Sequence, residues 1–120
     1  MAYILVADDD GDIRELVEFT LIRAGHTVVT AHDGIDAWAA IRHQPFDLIV
    51  LDSMMPGLSG VQVTSLTRGS EDHFALKIIM LSARAREDQI QEGYDAGVDL
   101  YITKPFSPRE FIEQVTALTG

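Results

Sequence analysis

Asp47-Leu-Ile-Val-Leu-Asp52-Ser-Met-Met-Pro56-Gly57 is the stretch from which the fold can be read. An aliphatic, β-branched run stops abruptly at a carboxylate, and a Pro-Gly turn signal follows. The run predicts a buried strand over Asp47 to Leu51, with Asp52 at its carboxyl tip. In open α/β sheets that tip is where ligands are held. Asp52 is therefore a site candidate, and its partners in space must come from other strand ends.

Toward the N-terminus, Tyr3-Ile-Leu-Val-Ala7 is a second apolar run, and it also ends in acid, at Asp8-Asp9-Asp10. From Ile13 the period changes. Ile13, Leu16, Val17, Thr20, Leu21 and Ala24 recur at three and four residues, which predicts an amphipathic helix. Asp10 or Asp12 can cap it, and Gly25 ends it. Thr27 to Ala31 reads as a strand, His32-Asp33-Gly34 as a turn, and the next helix carries Ala37, Trp38 and Ile41 on one face until Pro45 stops it.

Toward the C-terminus, the loop from Ser53 to Gly60 leads to a short helix over Val61 to Arg68. Lys77 to Ser82 is a strand ending in a hydroxyl. Ala85 to Ala96 is expected to be helical and closed by Gly97, with a last strand over Asp99 to Thr103. Lys104-Pro105-Phe106 breaks that strand. Ser107, Pro108 and Glu110 then open a final helix as N-cap, N1 and N3 of a capping box, with Phe111, Val115 and Leu118 along it.

Strand-helix alternation with short connections requires parallel strands and right-handed crossovers. Apolar strands without strict alternation fit a sheet covered on both faces. The prediction is an α/β, doubly wound (βα)5 sandwich. No linker, repeat or low-complexity segment interrupts it, so residues 1–120 are expected to form one domain.

Composition narrows the function. Hydrophobic residues make up 47% and charged residues 23% of the chain, ordinary for a globular domain. There is no cysteine, which excludes disulfides, thiolate metal sites and thiol catalysis. The net charge of −10 argues against direct nucleic-acid binding, since a phosphate backbone would be repelled. No apolar run approaches the roughly 18 residues of a membrane span, and the first residues lack a basic region, so a cytoplasmic location is expected.

The predicted strand tips carry Asp8 and Asp9, Asp52, Ser82 and, just past Thr103, Lys104. Three carboxylates brought together repel one another and hold protons unless a cation joins them. Oxygen-only ligands favour a hard ion, Mg²⁺ or Mn²⁺, which also holds phosphate oxygens. Phosphoryl transfer is mostly positioning and charge stabilisation. Asp52 is thus a candidate nucleophile that accepts a phosphoryl group as an acyl phosphate. Lys104 would neutralise one phosphoryl oxygen and Ser82 would donate a hydrogen bond to another. Each group alone has a plain structural explanation, as a helix cap, a strand-end hydroxyl or a solvated charge, and Asp10 is expected to be a cap. Trp38, Met55 and Met80 are read as packing. His26, His32, His43 and His73 are read as neither ligands nor phosphodonors.

The motifs Ile4-Leu-Val-Ala-Asp8-Asp9-Asp10, Asp47 to Gly60, Ile78-Ile-Met-Leu-Ser82-Ala83 and Gly97-Val-Asp-Leu-Tyr101-Ile-Thr-Lys104-Pro105-Phe106 together resemble the receiver domain of bacterial response regulators, over essentially the whole chain. The resemblance implies a flavodoxin-like sheet in the order 2-1-3-4-5. It implies a two-component phosphorelay in which Asp52 takes a phosphoryl group from a phosphohistidine on a sensor histidine kinase or phosphotransfer protein. Carried over by position, Asp9, Asp52 and the Met54 carbonyl would ligate Mg²⁺ directly, and Asp8 through a water. Ser82 would be the switch hydroxyl and Tyr101 the switch aromatic. A cis Lys104–Pro105 bond is also implied. Such a chain is a phosphoacceptor that assists its own phosphorylation and dephosphorylation rather than an enzyme.

The implied output face is the fourth helix, fifth strand and fifth helix, read by an output domain or partner. The Phe106-to-Glu110 segment resembles receivers attached to winged-helix DNA-binding domains, which dimerise through charged pairs on that face. Ile90, Leu100 and Gln114 stand where those charges belong. A monomer or weak phosphorylation-dependent dimer is therefore expected, with Ile90 and Leu100, if exposed, as an apolar docking patch. Three departures stand out: Gly11 where proline is common, Ser53 where an aliphatic residue usually follows the phosphoacceptor, and Leu100 where a second Asp is frequent. The alternatives are a small aspartyl-nucleophile phosphatase, a nucleotide or flavin binder, and a non-phosphorylated docking receiver. The first wants an acid where Met54 stands, the second a Gly-rich loop that the chain lacks, and the third conflicts with the intact acidic set.

Overall fold

The computed structural model describes residues 1–120. Its elements are β1 (Tyr3–Ala7), α1 (Gly11–Arg23), β2 (Thr27–Ala31), α2 (Gly34–His43), β3 (Leu48–Leu51), α3 (Gly60–Arg68), β4 (Lys77–Ser82), α4 (Glu87–Ala96), β5 (Leu100–Thr103) and α5 (Pro108–Thr119). The strands form one sheet in the order β2-β1-β3-β4-β5, and every pairing is parallel. This is the doubly wound arrangement expected.

Both faces of the central strands are covered, which is why their sequences do not alternate. On one face Leu5, Ile49, Leu51, Ile78 and Met80 pack with Ala37 and Ile41 of α2 and Val63 of α3. On the other, Ile4, Val6, Val50, Ile79 and Leu81 pack with Val17 and Leu21 of α1 and Phe111 and Val115 of α5. Met55 and Met80 are buried as expected, and Trp38 packs partly buried against the first cluster. The apolar row of α1 is narrower than its sequence period implied. Ile13, Val17 and Leu21, spaced i,i+4, meet the core, while Leu16 joins Phe19 and Ile22 in solvent.

Local chemistry fixes the element ends. Asp10 caps α1 by accepting the amides of Asp12 and Ile13. β3 and β5 each begin one residue later than expected, because Asp47 and Asp99 act as side-chain acceptors. Their carboxylates take the amides of Tyr3 (2.8 Å) and Ile78 (2.8 Å) on the neighbouring strands. α4 starts at Glu87 rather than Ala85. The Arg84 carbonyl accepts the Tyr101 hydroxyl (2.7 Å), and the Arg86 amide donates to the Gln89 side chain (3.3 Å). The predicted box on α5 is half formed: Ser107 accepts the Glu110 amide (3.3 Å), with Pro108 at N1. A complete box, not foreseen, opens α3, where Ser59 and Gln62 bond reciprocally. The Lys104–Pro105 bond is cis. No helix is long and apolar enough to cross a membrane.

Candidate functional site

The sheet ladder runs past the strand ends into the site. The amide of Asp8 donates to Ala31 (3.2 Å), that of Asp52 to Ala7 (2.9 Å) and that of Lys104 to Ser82 (2.8 Å). Three of the predicted residues therefore have backbone positions clamped by neighbouring strands. Gly60 closes the loop below. Its amide donates to the Ser53 carbonyl (3.0 Å), and a Cβ there would collide with the Asp52 carbonyl and the Met80 sulfur.

Carboxylate oxygens of Asp8, Asp9 and Asp52 all lie within 4.8 Å of one another. Asp8 is 4% and Asp52 9% exposed, while Asp9 is open to solvent. Lys104 reaches in from beyond β5, with Nζ 2.9 Å from Asp8 Oδ2 and 3.7 Å from Asp52 Oδ1. The other Asp8 carboxylate oxygen accepts the Asp10 amide (3.0 Å), and Arg14 donates to the Asp8 carbonyl (2.9 Å). Asp8 is therefore a fixed acceptor with one face toward Lys104. The Arg14 contact was not anticipated. It lies one helical turn past Asp10, where any basic residue also reads as solvated.

Burial pushes the Asp52 carboxyl up to about 6 from the usual carboxylate range, and the charge of Asp8 adds to the rise. Lys104 and the Met54 amide pull the other way, and Asp9 contributes a smaller rise. One ammonium does not neutralise three clustered acids. An oxygen-only set that raises the pKa of its own central carboxyl has the donor chemistry of a hard divalent cation site.

A cleft of about 420 Å³ opens above this cluster, lined by Asp9, Asp52, Met54, Ser82, Arg84 and Lys104 among others. Larger concavities lie beside Phe46 and Phe74 at the opposite end of the sheet and between α1 and α5. Neither gathers carboxylates around a lysine.

Ser82 lies at the floor, 1% exposed, and its hydroxyl is bonded to that of Ser53, itself 8% exposed. Ser82 Oγ also accepts the Arg84 amide (3.0 Å). Arg84 in turn accepts the Tyr101 hydroxyl, so one residue links the site hydroxyl to the aromatic ring on β5. The Tyr101 ring rests on Gly93 of α4, where a Cβ would come within 2.8 Å of it, and its amide donates to the Tyr94 hydroxyl (3.0 Å). Ile90 and Leu100 are half-buried rather than open, and Leu100 packs against the second core cluster.

His26 accepts the Ala2 amide (3.0 Å), and its pKa is lowered by burial and by the N-terminal ammonium. His32 pairs with Asp36 (2.9 Å) at the surface. Neither histidine approaches the cleft.

Known proteins resemble this chain in both sequence and fold. A family model for the response regulator receiver domain matches residues 4–116. The chain is 40% identical to the phosphate regulon transcriptional regulatory protein PhoB of Pseudomonas aeruginosa, over 96% of this chain and 50% of that protein. It thus spans about half the length of the curated relatives it matches. Among solved structures it resembles the receiver domain of Francisella response regulator 1452, with a TM-score of 0.92 and 34% identity over 99% of this chain and 97% of that one. It also resembles the receiver domain of the sensor histidine kinase PA1611 from Pseudomonas aeruginosa, which holds a magnesium ion in its active-site cleft, with a TM-score of 0.93 and 28% identity over 99% and 98% of the two chains. With the acids at the tips of β1 and β3, the hydroxyl ending β4 and the lysine beyond β5 all inside the matched residues, the chain belongs to the response regulator receiver domain family.

Proposed function

We propose that this chain, over residues 1–120, is a phosphorylation-driven signalling switch whose phosphoacceptor is Asp52. The observation that carries the reading is the Asp8–Asp9–Asp52 cluster with Lys104 bonded across it. An Asp52 carboxylate oxygen attacks the phosphorus of a phosphohistidine on a sensor histidine kinase or phosphotransfer protein. The P–N bond breaks, its electron pair stays on the ring nitrogen, and the histidine leaves as neutral imidazole because the phosphohistidine ring already carries a proton on its other nitrogen. Lys104 turns from Asp8 toward a phosphoryl oxygen, and Ser82 donates to another. Asp8, Asp9, Asp52 and the Met54 carbonyl would hold Mg²⁺, which when bound supplies positive charge to the phosphoryl oxygens.

The readout follows the bonds through Arg84. When Ser82 Oγ turns to the phosphoryl group, the Arg84 amide loses its acceptor, and the segment before α4 is released along with the Tyr101 hydroxyl it holds. Tyr101 can then turn inward, and the face of α4, β5 and α5 changes for an output domain or partner. Tyr94 is an exposed ring on that face, which also carries the half-buried Ile90 and Leu100. The chain acts as a monomer or a phosphorylation-dependent dimer in the cytoplasm. An aspartyl phosphatase is disfavoured, because Met54 offers no proton to a leaving group.

Incubation with acetyl phosphate and Mg²⁺ tests this. The wild type gains one phosphoryl group by intact mass, and Asp52→Asn gains none. No adduct on the wild type, or equal labelling of Asp52→Asn, would defeat the reading.

A further inference from the structure

We infer that Ser53 is a positioning residue that restrains the Ser82 hydroxyl in the unphosphorylated protein. The register of β3 and β4 pairs Leu51 with Met80. Two residues on, Ser53 just past the end of β3 and Ser82 at the last position of β4 therefore lie side by side, and their hydroxyls meet in the buried floor. A serine hydroxyl has one proton and two lone pairs. The Arg84 amide already donates to Ser82 Oγ. The second lone pair of Ser82 Oγ and its proton both remain for Ser53 Oγ, so either hydroxyl can donate across this contact, and no buried side-chain polar atom is left unbonded.

The consequence depends on the phosphoacceptor reading of Asp52. To serve a phosphoryl oxygen, the Ser82 hydroxyl must leave Ser53 and turn toward Asp52. That leaves the Ser53 hydroxyl buried without its partner, a cost met only in the activated state. An aliphatic residue at this position would have no such bond to lose. Ser53 therefore biases the two-state equilibrium toward rest and acts entirely through Ser82.

Binding of beryllofluoride with Mg²⁺ to the full chain, followed by calorimetry, tests the inference. Ser53→Ala should bind beryllofluoride about threefold or more tightly than wild type, while its affinity for Mg²⁺ alone stays the same. Ser53→Val, which also lacks the hydroxyl but keeps more volume, should shift affinity in the same direction. In a Ser82→Ala background, adding Ser53→Ala should change nothing, an outcome that a merely structural role would not produce. Unchanged or weaker beryllofluoride binding by Ser53→Ala, or the same gain without Ser82, would overturn the inference. Wild-type protein that takes up no beryllofluoride would instead overturn the phosphoacceptor reading, and the inference with it.

Discussion

At the scale of single residues, Asp52 carries a conflict between folding and function. Its carboxyl is held near 6, first by burial and then by Asp8. An acid whose pKa is higher folded than unfolded opposes folding once it ionises. The penalty is absent below the unfolded value near ~4, grows as pH rises to the folded value, and is constant above it. Metal-free protein should therefore lose stability between about pH 4 and 6. Asp52→Asn should recover about 1–2 kcal/mol at neutral pH, allowing for solvent screening at the cleft mouth. Urea midpoints measured with a chelator at both ends of that range check this; a gain as large at pH ~4 would rule out charge as the cause. Arg84 makes a kinetic prediction. Its exposed side chain lines the cleft beside Met54, where water must pass to reach an acyl phosphate, so Arg84→Ala should speed dephosphorylation on the order of threefold. Phosphorylation by acetyl phosphate should change less, and equal effects on both rates would count against the idea. The acids and the lysine were legible because each interrupts an apolar run at a strand end. The bond between Ser53 and Ser82 was not, because it depends on the register between two strands, which neither segment encodes alone.

At the scale of elements, the α4–β5 junction shows what periodicity can and cannot reveal. The pattern located α4, but its first turn is decided by Tyr101, a residue well beyond its end. The hydroxyl of that tyrosine engages the Arg84 carbonyl and keeps residues 84–86 out of the helix. A local reading had no access to that long-range bond. The same holds at the starts of β3 and β5, where Asp47 and Asp99 reach across to neighbouring amides. Gly93 is the other half of the junction, giving the Tyr101 ring its seat. Gly93→Ala should displace the ring, cost about 1–3 kcal/mol as overpacking does, and change the Tyr101 ring signals in an NMR spectrum. If the spectrum of the remaining core stays as in the wild type, the ring alone has moved. Unchanged ring signals and stability would mean that the contact is not restrictive.

Across the whole molecule, the sheet order was readable only as a class. Alternating elements required parallel strands and two covered faces, but β1 lies between β2 and β3 because the first crossover goes one way and the rest go the other. That reversal was implied by the family resemblance and not by any local signal. It has an energetic consequence, since it sets the acids of β1 directly beside Asp52 of β3, and Lys104 reaches them from beyond β5. A divalent ion held there ties β1 to β3, while the chain as a whole carries a net charge of −10. An ion that binds the folded state alone stabilises it by RT ln(1 + [L]/Kd), about 2.7 kcal/mol at a hundredfold excess over Kd. For a domain of this size that corresponds to roughly 10 °C in Tm. Mg²⁺ should therefore raise Tm in proportion to the logarithm of its concentration at neutral pH. The rise should be smaller near pH ~4.5, because protons compete for the same carboxylates. Asp9→Asn should remove most of the rise, whereas Leu16→Ala, on the solvent side of α1, should leave it intact. Thermal melts of the three proteins across a magnesium series decide the matter. A slope that survives Asp9→Asn would mean that the ion binds elsewhere, and that the acids at the strand tips are not its site.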